Sequence, residues 1–157
     1  YADHTFGVCK KMLDDKNAIM GLGDGGAHVG FILDAGYPTW LISYWSVKQK
    51  AYSMEETVRR LTSDTANAAG LNDRGLLKVG LKADINIIDW ENVGSSDPFM
   101  TQDLPAGGKR LMQHTKGYVT TIVSGVVTYK NGKFTKERPG TVVKSVKDEE
   151  KTLEFIN

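Results

Sequence analysis

The stretch "MGLGDGGAHVG" (residues 20–30) admits two opposed readings. Gly21, Gly23 and Gly26 fit the G-x-G-x-x-G spacing that cradles the pyrophosphate of a dinucleotide. Asp24 stands inside the same loop, where its carboxylate would repel a phosphate. A dinucleotide loop must also open directly into a helix whose N–H groups hold the anion, with an acidic residue about 20 positions onward. Here the glycines run into "AHVGFILDAGYP", broken by Gly30, Gly36 and Pro38, and around residue 44 the sequence reads "SYWS" with no acid. In so glycine-rich a stretch the spacing match carries little weight, and the cofactor reading is disfavoured.

The other reading is a loop built to present one carboxylate. "AIMGL" (residues 18–22) is an apolar run of strand length, and a strand ending in Asp24 would fix that side chain while the glycines leave room around it. Gly25 and Gly26 let the chain turn away and let a substrate approach the backbone. Asp24 could equally cap the turn that follows, as Asx residues often do. Spacing alone leaves the two open.

Working outward, residues 4–16 place Phe6, Cys9, Met12 and Leu13 on one face at helical spacing, ending at Asn17. An apolar helix is expected within "TWLISYWSVKQKA" (residues 39–51). The strongest helix signal follows. Ser53 is a good N-cap with Glu56 three residues later, and one helix through "TVRRLTSDTANAAG" should stop at Gly70. Beyond Gly70 the pattern turns to strands. An alternating strand is expected at residues 84–89, then a long connection over 90–117. Residues 119–136 should form an antiparallel pair turned at Asn131-Gly132. This divides the chain into an α/β part (1–70), a β-rich part (71–144) and a charged tail (145–157).

Composition bounds the function. Twenty Lys plus Arg against nineteen Asp plus Glu leave a formal charge of +1, without the basic excess that nucleic acid or an anionic membrane surface attracts. No apolar run has the length to span a bilayer. The 157 residues suffice for one domain with a sizeable core. The single cysteine, Cys9, allows no internal disulfide, which fits a reducing, cytoplasmic setting. With no signal peptide and no initiator Met, and opening in the middle of a periodic pattern, the chain reads as a piece of something longer.

Taken together and in order, "GLGDGGAHVG", "DAGYPTWLISYW", "RRLTSDTANAAGL", "DRGLLKVGLKADINIID", "DLPAGGKRLMQ" and "GYVTTIVSGVVTYKNGKFTKERPGTVV" resemble the C-terminal third of the amidohydrolase superfamily. The resemblance is strongest to its N-acyl-D-amino-acid deacylase (D-aminoacylase) branch and covers residues 1 to about 144. It implies an α/β fold class: the C-terminal end of a (β/α)8 barrel followed by strands of a composite β-sandwich.

It also implies that Asp24 matches the aspartate ending the eighth barrel strand, which binds or faces the catalytic zinc and shuttles the proton. Zinc lowers the pKa of its bound water to about 7. A carboxylate beside it can take the water's proton and return it to the departing amine. Family members often carry Ser or Thr before this aspartate, where Gly23 stands here.

His28 is the second candidate. By the resemblance it sits near the mouth of the site and could touch substrate or metal, though an ordinary loop histidine is the favoured reading. Lys109 and Arg110 could meet a substrate carboxylate, with a solvated loop again favoured. His4 and His114 have no partner at ligand spacing, and Cys9 reads as a structural thiol on an apolar helix face. A zinc site needs three protein ligands, and no H-x-H pair occurs.

The expected substrate is therefore a small N-acyl amino acid, with neither nucleic acid nor membrane as partner. This chain alone is expected to be inactive, to hold no metal at Asp24, and to self-associate as a homo-oligomer through strands lacking sandwich partners. Two rival readings remain: another amidohydrolase, such as a cyclic amidase or deaminase, and a non-catalytic β-rich interaction module.

Overall fold

A computed structural model describes residues 5–21 and 23–144; the tail expectation and His4 lie outside the described residues. The first helix, α1 (Gly7–Asp14), covers the middle of the expected helix and turns Cys9 and Leu13 inward. A short strand β1 (Gly25–His28) follows the glycine loop. Next, α2 (Tyr37–Trp40) runs without a break into a wider helical turn over Leu41–Lys48, where the apolar helix was expected. Its end is marked by the Gln49 N–H donating to Tyr44 O at 2.8 Å.

Together these helices build the core. Leu41, Trp45 and Tyr52 are buried, packed against Cys9, Leu13, Met20, Tyr44, Ala51 and Leu61. Around them Trp40 and Tyr44 stack at 4.5 Å, and Phe6 meets both edge-on. The core is smaller than the chain length implies. Only six described hydrophobic side chains are buried, while Leu77 and Val79 stand 85% and 102% exposed.

α3 (Met54–Leu61) begins as expected, with Ser53 Oγ accepting the Glu56 N–H at 3.1 Å. It does not continue to Gly70. The backbone breaks at Thr62 (φ −126°, ψ −84°), and a separate α4 (Ser63–Ala68) follows. The cause lies in the string Thr62-Ser63-Asp64-Thr65. The Thr62 hydroxyl donates to Val58 O and the Thr65 hydroxyl to Thr62 O, so side chains compete for the carbonyls around the break.

Tyr52 ties α1 to α3. Its hydroxyl donates to Asp14 Oδ1 at 2.9 Å, while Arg60 lies 4.5 Å over its ring and donates to Leu13 O at 2.6 Å. Burial, and then the hydrogen bond to Asp14, push the Tyr52 phenol up to about 12. The hydrogen bond from Lys10, then that from Tyr52, hold Asp14 below its ordinary value. A raised phenol stabilises the fold below its unfolded pKa near 10 and loses that contribution as pH climbs through the folded value. We expect Tyr52→Phe to abolish the extra alkaline loss, worth about 1 kcal/mol between pH 8 and pH 11 in the wild type. Urea midpoints at pH 8 and pH 11 for both proteins measure it; equal alkaline losses would refute the assignment.

The rest is antiparallel. β2 (Ile85–Ile88) falls where the alternating strand was expected and pairs with β7 (Tyr118–Val123). The stretch between them is no open connection. β3 (Gly94–Ser95) pairs with β6 (Thr115–Lys116), and β4 (Phe99–Thr101) with β5 (Arg110–Met112), so it folds back on itself. Gly117 makes the nesting possible. A Cβ there would lie 2.6 Å from Val93 Cα, and its φ is +87°.

The expected hairpin gains a turn. β7 runs through Ser124-Gly125 into β8 (Val126–Lys130), and only then does Asn131-Gly132 lead to β9 (Lys133–Phe134). Both dipeptides have positive φ at both residues, as a two-residue hairpin turn requires. Ser124-Gly125 is the less obvious of the two because serine rarely takes that conformation. The result is a mixed α/β chain with antiparallel sheets, the largest ordered β2-β7-β8-β9. No described helix is long and apolar enough to cross a membrane.

Candidate functional site

The glycine loop departs from expectation in one respect. Residues 18–21 are not a strand; β1 starts after Asp24 instead of ending at it. None of the described sheets includes residues 18–21. Asp24 is therefore held by other means. Its backbone N–H donates to Asp34 Oδ2 at 2.8 Å. A Cβ on Gly23 would sit 3.1 Å from Asp34 O and 3.3 Å from Ala35 Cα, and one on Gly25 would sit 3.0 Å from Ala35 Cβ. The two glycines let residues 23–25 lie against residues 34–35. This accounts for glycine at position 23, where a serine or threonine would crowd the facing backbone.

The Asp24 residue itself is exposed, and its carboxylate makes no side-chain hydrogen bond or ion pair among the described residues. It is open to whatever approaches.

His28 closes β1 with φ +46°. It is exposed, and its ring stacks on Phe31 at 5.2 Å, while its carbonyl accepts the N–H groups of Phe31 and Ile32. Its contacts among the described residues are these, at the tight turn that closes β1. Val29 O accepts the Leu111 N–H at 2.8 Å, and Thr39 Oγ1 bonds the Tyr118 hydroxyl at 2.8 Å, so the loop is moored to the β-rich part on both sides.

Arg110 is engaged elsewhere. Its guanidinium grips Asp103 with two hydrogen bonds, of 2.8 and 2.6 Å, and this pair raises the arginine and lowers the aspartate. Lys109 is exposed in the same loop. His114 packs on Phe99 at 4.8 Å and Cys9 is half-buried against the core, both structural settings. The residue that sequence reasoning passed over is Asp34. Its only signal was an acid before Ala-Gly, ten positions after Asp24.

A catalytic zinc takes three protein ligands. Among the described residues no three His, Cys, Asp or Glu come together in a way that could hold a metal ion. Asp24 offers at most one ligand, so these residues do not by themselves make a metal centre.

With this geometry established, the chain can be placed. Residues 3–129 match the model of the amidohydrolase family, and the chain belongs to that family of hydrolases. Its members act on C–N bonds and usually depend on a metal. No curated protein and no solved structure matches the chain.

Proposed function

We propose that this chain is the part of an N-acyl-D-amino-acid deacylase that carries the proton-transferring carboxylate, Asp24. One observation carries the reading: in an amidohydrolase chain, a carboxylate with no side-chain partner among the described residues stands exposed in a glycine loop whose backbone is pinned at that residue. The N-acyl-D-amino acid as substrate follows from the ordered motifs that resemble that branch, from "GLGDGGAHVG" to "GYVTTIVSGVVTYKNGKFT". The same motifs support reading the α/β part as barrel elements and the β-rich part as sandwich strands.

Asp24's task is proton transfer. Hydrolysing an amide requires water to lose a proton as it attacks the carbonyl carbon and the nitrogen to gain one as it leaves. A carboxylate between glycines can reach both atoms in turn, accepting the first proton and donating it to the amine. His28, stacked on Phe31 at the edge of the loop, is left to contact the substrate's periphery.

The test is substrate choice. The metal-replete enzyme should turn over N-acyl-D-amino acids and leave cyclic imides untouched. Preference for cyclic imides would keep the family and overturn the branch.

We also propose that the chain forms homo-oligomers, supported by the exposed Leu76, Leu77 and Val79 in one loop. Apolar side chains left in water favour association where they cluster. Light scattering should give a mass above 17.3 kDa that falls toward it in Leu77→Ser/Val79→Ser. A monomer at every concentration would refute this.

A further inference from the structure

We infer that Asp34 is a positioning residue, one that aims the Asp24 carboxylate by holding the backbone beneath it. The inference rests on Asp24 being the proton carrier and adds the device that orients it. Asp24 lies between Gly23 and Gly25, so neither neighbour has a side chain to buttress it. It is also exposed, so no packing restricts it. What fixes its direction is the backbone, because once N and Cα are held only two side-chain torsions remain.

The hold comes from ten residues away. Asp34 Oδ2 accepts the Asp24 N–H at 2.8 Å, a short hydrogen bond between residues ten positions apart. Gly23 and Gly25 lie on either side of that bond, each with a Cβ position 3.0–3.1 Å from residues 34–35. The bond is therefore framed by close backbone contact before and after Asp24. Residue 34 is anchored in turn, its carbonyl accepting the Tyr37 N–H at 3.1 Å as the chain enters α2. Rigidity thus passes from α2 through Asp34 to Asp24. A displacement of about 1 Å at a reacting group can cost about a hundredfold in rate, so such a clasp bears on turnover.

The role requires a hydrogen-bond acceptor at this place rather than a charge, which separates two variants. Asp34→Asn keeps an acceptor oxygen of the same shape; Asp34→Ala removes it. In the 157-residue chain, amide hydrogen exchange by NMR should show the Asp24 N–H exchanging about tenfold faster or more in Asp34→Ala and near the wild-type rate in Asp34→Asn. In the metal-replete enzyme, Asp34→Ala should lower kcat by about 10- to 100-fold with KM within about twofold, and Asp34→Asn should restore most of it. Circular dichroism checks that each variant folds. Unchanged exchange in Asp34→Ala, or equal kcat losses in the two folded variants, would overturn the inference. Asp24→Asn, assayed alongside, keeps the two claims apart. If it stays active, the proton-carrier reading fails; if it is inactive while Asp34→Ala keeps wild-type kcat, only the positioning role fails.

Discussion

Asp24→Asn is expected to lower kcat in the metal-replete enzyme by about 10² to 10⁴, the range that general acid–base catalysis contributes. That is about 3–5 kcal/mol of transition-state stabilisation. The substitution keeps the shape of the side chain and the backbone N–H that Asp34 accepts, so the loop should not move. What disappears is the ability to take a proton: a neutral amide oxygen is far too weak a base. KM should change little, because an uncharged substrate carbonyl gains nothing from this carboxylate in the ground state. Steady-state kinetics on the folded variant measure both constants. Activity within about tenfold of wild type would remove Asp24 from the chemistry.

Leu41→Ala should be the most damaging single truncation for the fold. Leu41 is 1% exposed at the centre of the cluster with Trp45 and Tyr52. Leucine-to-alanine changes in such positions cost about 2–5 kcal/mol, part for lost transfer and part for the cavity left behind. Folded domains are stable by only about 5–15 kcal/mol in all. With so few buried side chains here, that loss takes a large share of the total. Val142→Ala is the control. That side chain is 90% exposed, and its removal should stay within about 0.5 kcal/mol. Urea denaturation of both variants gives the comparison; a Leu41→Ala midpoint near wild type would mean that the helical cluster is not the stabilising core.

Features governed by local chemistry were legible in the sequence. The Ser53 cap, the helix around Cys9 and Leu13, the strand at Ile85–Ile88 and the Asn131-Gly132 turn each depend on residues within a few positions of one another. Features set by distant partners were not. "AIMGL" has strand composition, but composition cannot supply a neighbouring strand. The fold-back of residues 94–116 depends on Gly117 yielding to Val93, a contact between residues far apart in sequence. The break at Thr62 lay within reach, since four consecutive residues with polar side chains weaken a helix interior, but the Ser53 cap and the Gly70 stop framed a single helix and hid it. At the site, Asp24 stood out by its glycine neighbours. Asp34 did not, because only the folded backbone brings the two together.

The moorings of the glycine loop also set when it can take shape during folding. The Asp24–Asp34 bond spans ten residues, and a loop of that size closes in about 10–100 ns. The bond from Thr39 to Tyr118 spans 79, and the entropy of closing a loop grows with the logarithm of its length. The clasp can therefore form and dissolve many times before the β-rich half arrives to hold the loop in place. On this ordering, residues 23–35 reach their final arrangement only after β5 and β7 have paired with their neighbours. A lesion in the later hairpin, such as a bulky residue at Gly117, would then leave the helical core assembled early but the carboxylate at position 24 waiting for its support.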